Sequence, residues 1–148
     1  MNQKDFSTTI VVTQTPEQVF KAINNPCDWW AGEIEGDSSK LNDEFSYRYK
    51  EIHYSKQRVI EMIPNRKVVW LITESNLNFT KDPSEWTGTK VSFEIVDKDG
   101  ETELRFSHLG LIPEVECFDA CSGAWTQLIQ QGLFSLITKG ESAQISLG

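Results

Sequence analysis

Two stretches decide the fold: VSFEIVDKDGETELRFSH at residues 91–108 and CFDACSGAWTQLIQQGLFSLITKG at residues 117–140. In the first, Val91, Phe93 and Ile95 alternate, then Leu104, Phe106 and His108 alternate, so each trio lies on one side of a strand. Asp97-Lys98-Asp99-Gly100 between them is an Asp-Gly hairpin signal, which places strands at about 88–97 and 101–109. In the second, Cys121, Trp125, Leu128, Ile129, Gly132, Leu133, Leu136 and Ile137 recur at spacings of three and four, the stripe of one long amphipathic helix from about Cys117 to Gly140. Gly132 inside that stripe costs about 1 kcal/mol relative to Ala, which a close approach of sheet backbone to helix would offset.

Working outward, further strands are expected at about 44–52, 55–63 and 67–74, with Pro64-Asn65-Arg66 as a tight turn. Consecutive strands on short turns form an antiparallel meander. Phe45, Tyr47 and Tyr49 alternate on the first of these. Val68 to Ile72 is apolar on both faces, so Trp70 belongs to the core. Upstream, Phe6, Thr8, Ile10 and Val12 share one face of a strand over about 6–13. Thr15-Pro16-Glu17-Gln18 then starts a short helix, with Thr15 as cap, Pro16 at the first position and Gln18 closing a capping box. Asn24-Asn25-Pro26 ends it. Pro26 opens a second short turn carrying Trp29 and Trp30; as neighbours on a helix these would point about 100° apart, one anchoring the helices and the other bordering a pocket. A link through Gly32 and Gly36 leads to an acidic loop at Asp37–Asp43, and Glu33 and Glu35 flank Ile34 in a short strand. The longer segment from Glu74 to Gly88 is expected to hold Phe79 and Trp86 over one end of the sheet.

A face meant only for packing favours Val, Ile and Leu, which carry no polar atom needing a partner. Tyr47, Tyr49 and His108 on inward faces point instead to a cavity between sheet and helix. The chain has 148 residues, 39% hydrophobic and 24% charged, the profile of one globular domain, with a core over about 6–140 and a frayed tail at 141–148. A net charge of −8 excludes the basic stripe that nucleic-acid binding requires. No apolar run approaches the ~20 residues of a membrane span. The start, Met1 to Asp5, lacks a signal-peptide layout, so a cytoplasmic location is expected.

Three cysteines and two histidines limit the chemistry. Cys117 and Cys121 would share a helix face, but structural zinc wants four ligands, so packing at the helix entry is the simpler reading and no metal or other cofactor is expected. No phosphate loop, dinucleotide fingerprint or nucleophile elbow is present. Glu114 and Glu116 precede the last helix, where negative charge suits the helix dipole.

The pieces Thr15–Ile23, Trp29-Trp30, Phe45-Ser46-Tyr47, Val69-Trp70, Trp86-x-Gly88-Thr89-x-Val91-x-Phe93, His108-x-Gly110-Leu111 and the helix from Trp125 to Leu136 occur in the order and at the gaps of a known family. From about Phe6 to Gly140 the chain resembles the helix-grip fold of the START/Bet v 1-like superfamily, and within it the family related to the activator of Hsp90 ATPase. The resemblance implies an α+β fold: an antiparallel sheet wrapped around a long C-terminal helix, with two short helices after the first strand. That superfamily includes lipid carriers, hormone receptors, polyketide cyclases and aromatases, and co-chaperone domains, so function has to come from the site.

The leading expectation is binding of a small apolar or aromatic molecule between sheet and terminal helix. Trp30, Tyr47, Tyr49, Phe93, Phe106, His108, Trp125 and Ile129 are the expected wall, with Trp125 foremost. Two alternatives stand beside it: a protein-binding domain that modulates a chaperone, and a cyclase- or hydrolase-like enzyme using His108. No catalytic residue is assigned otherwise. His108 is read more simply as an imidazole satisfied by a neighbouring hydroxyl or carbonyl, and His53 as a hairpin-tip residue facing solvent or packed on the loop. Because related domains often pair, a homodimer belongs to the same expectation.

Overall fold

The computed structural model describes residues 5–30, 33–50, 53–78 and 80–140, without the side chain of Cys27; Gly32, Phe79 and the tail beyond Gly140 lie outside them. Strand β1 (Phe6–Val12) is followed by helix α1 (Pro16–Ile23), a 3₁₀ turn (Pro26–Asp28) and strands β2 (Glu33–Gly36), β3 (Glu44–Tyr49), β4 (His53–Ile63), β5 (Lys67–Leu77), β6 (Lys90–Lys98) and β7 (Glu101–Leu109). The chain ends in helix α2 (Phe118–Gln127), which runs through a π-helical segment (Leu128–Leu133) into α3 (Phe134–Lys139). The seven strands form one antiparallel sheet in the order β1-β7-β6-β5-β4-β3-β2. This is the helix-grip arrangement. Among the described residues no helix is long and apolar enough to cross a membrane.

Local chemistry accounts for the boundaries. Thr15 Oγ1 accepts the Gln18 N–H at 3.2 Å, and the Gln18 side chain accepts the Thr15 N–H at 2.9 Å, a complete capping box. Asp99 and Gly100 take positive φ angles of 41° and 88°, as the two-residue turn between β6 and β7 requires. Gly140 ends the terminal helix in the left-handed conformation, its N–H donating to the Leu136 carbonyl at 3.0 Å.

The sheet departs from expectation at β4 and β5. Both run further toward the 53 and 77 ends, and His53 pairs with Tyr49 on one side and Leu77 on the other. His53 is therefore a strand residue, not a hairpin tip. Period two puts it on the inward face with Ser55, Gln57 and Val59. Those polar residues lack the apolar alternation by which a strand is recognised, and register shifts near Gln57 and Glu61 break the pattern again.

The core lies between the concave face and the terminal helix. Phe93 opposes Phe106, and Ile95 opposes Leu104; all four are buried, with Val91, Trp70 and Ile72 beside them. From the helix come Cys121, Trp125, Leu128, Ile129, Leu133 and Ile137. The wide π turn contains buried Gly132 and lies beside β1, where Gln130 Nε2 donates to Thr8 Oγ1 at 2.8 Å.

At the end of β7, Gly110 has φ +107°, and a Cβ there would stand 2.6 Å from Thr89 Cγ2. An alanine would be strained and would push on Thr89 together. Gly110→Ala is expected to destabilise the fold by about 1–3 kcal/mol, measured by urea denaturation against the wild type.

Candidate functional site

The strongest local construction joins helix, sheet and loop through one histidine. His108, on β7 opposite Val91 and Phe6, is fully buried. The Trp125 Nε1–H on α2 donates to His108 Nδ1 at 3.0 Å. An indole N–H only donates, so Nδ1 must accept and the neutral ring carries its proton on Nε2. Nε2–H then donates to Thr89 Oγ1 at 2.8 Å, and the Thr89 hydroxyl donates to the Trp86 carbonyl at 2.6 Å. Every member of this relay is satisfied. Protonation would set two donors against each other at Nδ1, and burial, with His53 adding to it, holds the His108 pKa down to about 3. His108 is thus the imidazole satisfied by a neighbouring hydroxyl, closed to substrate on both nitrogens.

Beside the relay lies a cavity of about 180 Å³, lined by Trp30, Tyr47, Tyr49, His53, Trp86, Ala120, Cys121, Ala124, Trp125 and Leu128. Four of the residues expected from sequence meet there: Trp30, Tyr47, Tyr49 and Trp125. The other four, Phe93, Phe106, His108 and Ile129, are fully buried and stand behind that wall, with the Trp125 ring centred 4.6 Å from Phe106 and 6.0 Å from His108. Trp125 is therefore core as much as wall.

Trp29 and Trp30 both turn inward and stack, 6.0 Å apart with an interplanar angle of 9°. Trp29 terminates the 3₁₀ turn with φ −133°, so the 100° helical offset expected of neighbours does not apply. Trp30 continues onto Tyr47 at 4.0 Å and toward Trp125 at 5.2 Å. Trp86 stacks on Trp125 at 5.9 Å and meets the His53 ring edge-on at 4.5 Å. Among the described residues no charged side chain lines the cavity.

The other side of the cavity is the start of α2, and the loop between β5 and β6 holds it in place. The Glu85 carboxylate accepts the backbone N–H groups of Glu116 at 3.0 Å and Cys117 at 3.3 Å. Glu116 in turn accepts the Lys81 N–H at 3.0 Å. The negative charge facing the helix entry is thus supplied by Glu85 from a distant loop, while Glu116 faces back toward that loop. Next door, Trp86 Nε1–H donates to Cys117 Sγ at 3.3 Å.

Cys121, Tyr47 and His53 in the cavity wall are held in their neutral forms. Cys121, in the cavity wall, donates a hydrogen bond to Cys117 and is buried, so its thiol is pushed up and stays protonated. The same bond draws Cys117 down, with burial opposing. The protonated Cys121 is a soft wall group, not a nucleophile. Burial raises the Tyr47 hydroxyl above the usual phenol range, Tyr49 adding to this and the Trp30 N–H acting against it. Burial alone holds His53 down to about 3. Among the described residues no cluster of three His, Cys, Asp or Glu residues could hold a metal.

His53, Trp86, Ala120, Cys121, Ala124 and Leu128 are wall residues that sequence reasoning did not put there. Cys121 and Leu128 were legible as helix stripe, and the i, i+4 spacing of Ala120 and Ala124 marks a helix side without bulk.

Both histidines are neutral in the native state down to about pH 3 and protonate near pH 6.5 when unfolded. The unfolded chain therefore binds more protons through that window, and stability falls as pH falls through it. Between pH 6.5 and 5, before carboxylates titrate, the expected slope is up to about 1.4 kcal/mol per pH unit per histidine. Urea denaturation of wild type and His108→Gln at several pH values measures it, and the variant should lose about half the slope.

Comparisons place this geometry among known folds. The family model described as "Activator of Hsp90 ATPase homolog 1-like protein" matches residues 13–137. The solution structure of the Aha1 dimer from Colwellia psychrerythraea superposes with a TM-score of 0.75 at 21% identity, covering 93% of this chain and 98% of that one. Protein SSP2350 from Staphylococcus saprophyticus gives 0.70 at 13% identity over 97% and 98% of the two chains. CalU16 from Micromonospora echinospora gives 0.63 at 12% over 90% and 76%. No curated protein matches the sequence. At these identities the solved structures share the fold alone. The family match spans the first helix, the aromatic wall and most of the terminal helix, and on it the chain belongs to the activator of Hsp90 ATPase homolog 1-like family.

Proposed function

We propose that this protein binds a small apolar or aromatic molecule, without transforming it, in the cavity between the sheet and the C-terminal helix. The observation that carries this reading is the wall itself: three tryptophans and two tyrosines around about 180 Å³, with no charged side chain among the described residues. For scale, an apolar cavity of about 150 Å³ stays dry and binds benzene. A ligand of one ring or two fused rings matches the space. Burying about 150–250 Å² of such a ligand at ~25 cal/mol per Å² contributes about 4–6 kcal/mol before association costs. Even before those costs this corresponds to dissociation constants of about 40 μM to 1 mM, so tighter binding needs polar contacts as well. The sealed His108 and the protonated Cys121 argue against the cyclase- or hydrolase-like alternative.

The family description favours a second reading, a protein-binding domain that modulates a chaperone of the Hsp90 class. Pairing of two copies is part of it, by analogy with the Aha1 dimer from Colwellia psychrerythraea. Such a domain would work through its surface and be indifferent to the cavity.

Trp125→Ala is a poor test, because a large core residue would be lost at a cost of about 3–5 kcal/mol. Ala124→Leu fills the cavity from the helix side and leaves the relay intact. Native mass spectrometry of the protein purified gently from its own cells should show an added mass of a few hundred daltons or less that disappears on denaturation. The same preparation of Ala124→Leu should be free of it while melting within a few degrees of wild type. Ligand loss only in preparations that are unfolded would count against the cavity as the site, and a clean mass with a stoichiometric chaperone in the purified material would favour the second reading.

A further inference from the structure

Three inward residues of β4 form a polar row that ends at the cavity. Gln57 Nε2–H donates to Ser55 Oγ, and Ser55 Oγ lies 3.4 Å from His53 Nε2. Both Ser55 and Gln57 are fully buried. Having received the Gln57 N–H, the Ser55 hydroxyl must place its own proton, and His53 Nε2 is the acceptor within reach among the described residues. A neutral imidazole that accepts at Nε2 carries its proton on Nδ1. The Gln57 amide stands with Nε2 toward Ser55 and leaves its Oε1 without a partner.

The row therefore runs Gln57 to Ser55 to His53, each group donating to the next, and it ends at a ring that lines the cavity. The His53 ring lines the cavity and is held edge-on between Tyr47 at 5.1 Å and Trp86 at 4.5 Å. Around it the wall is mostly aromatic and aliphatic, with the Tyr47 and Tyr49 hydroxyls and the Cys121 thiol as further polar groups. His108 is the useful contrast: its Nε2–H is spent on Thr89 and its Nδ1 on Trp125. The two histidines of this chain stand in opposite tautomers, and of the two His53 lines the cavity.

Resting on the cavity reading proposed above, we infer that His53 Nδ1–H is the specificity-determining donor of this site, and that its ligand is a neutral aromatic compound bearing a carbonyl-type acceptor. An aromatic hydrocarbon would fill the same space without using that donor; an aromatic acid would bring a charge into a wall that has no cation among the described residues. Selectivity among flat molecules of one size would then come from a single hydrogen bond, worth most in a dry site.

A matched pair of probes tests this. 1-Indanone and indane share one bicyclic frame and differ by a carbonyl in place of a methylene. Dissociation constants for both are measured by NMR titration on the full chain, for wild type, His53→Phe and Ser55→Ala. The ratio of the indane constant to the indanone constant should fall roughly ten-fold in His53→Phe, with indane binding retained. In Ser55→Ala, where the ring keeps its place but loses the partner that sets its tautomer, the ratio should fall less. Long-range proton–nitrogen spectra of the wild type should show the proton of His53 on Nδ1 and that of His108 on Nε2. An unchanged ratio with indane still bound would overturn the donor and leave the cavity reading standing, as would a His53 proton on Nε2. Failure of the wild type to bind either probe would remove the cavity reading, and this inference with it. Should His53→Phe fail to fold, the Ser55→Ala ratio and the tautomer spectrum decide.

Discussion

The indole N–H of Trp125, donated to His108, is the contact on which the rest of the interior depends. It is the direct polar tie between the terminal helix and the sheet at the level of the cavity. A bare hydrophobic face would let the helix slide or rotate at little cost, because burial is non-directional. One buried hydrogen bond with a donor-only partner removes that freedom. It sets the helix rotation that brings Ala120, Cys121 and Ala124 to the cavity, and it chooses the tautomer that lets Nε2–H reach Thr89. From Thr89 the chain of bonds passes to the loop that carries Trp86. Helix, sheet and loop thus share one network, and losing any member would leave buried polar groups unpaired at about 1–3 kcal/mol each.

The Glu85 carboxylate, next to Trp86 in the same loop, complements this. It covers backbone N–H groups at the start of α2 where an uncapped helix would expose them. Trp86 is consequently held twice, by its carbonyl at Thr89 and by its indole N–H at Cys117. A tryptophan so restrained is a fixed wall, and a cavity with fixed walls binds shape-matched molecules without first ordering itself. The same aromatic density that makes the cavity apolar also drives the histidine pKa values down. Burial disfavours the charged form, and no anion among the described residues offsets it.

The capping box at Thr15 and Gln18, the Asp-Gly turn at 99–100 and the Gly140 terminus were all legible in the sequence, because each is a local solution to a local backbone problem. The stripe from Cys121 to Ile137 was legible for the same reason, since the period of a helix is written in neighbouring residues. The start of β4 was not. His53, Ser55 and Gln57 face inward as a polar row, and alternation cannot be seen when both faces of a strand are polar. One of Trp29 and Trp30 was expected at the pocket, and Trp30 is there; the 100° offset between them fails because the chain leaves the 3₁₀ turn at Trp29.

The sequence by itself determined that this chain is a sheet closed over one long helix, and that some inward positions are too polar-tipped for simple packing. Period and turn chemistry carry that information within a few residues of each position. Only the tertiary structure decided which histidine is sealed and which faces the cavity. His108 and His53 differ in their partners, Trp125 and Thr89 against Ser55, and those partners meet each ring through strand pairing and helix rotation. A hydrogen-bond direction depends on atoms brought together across the fold, so no local pattern could have set it.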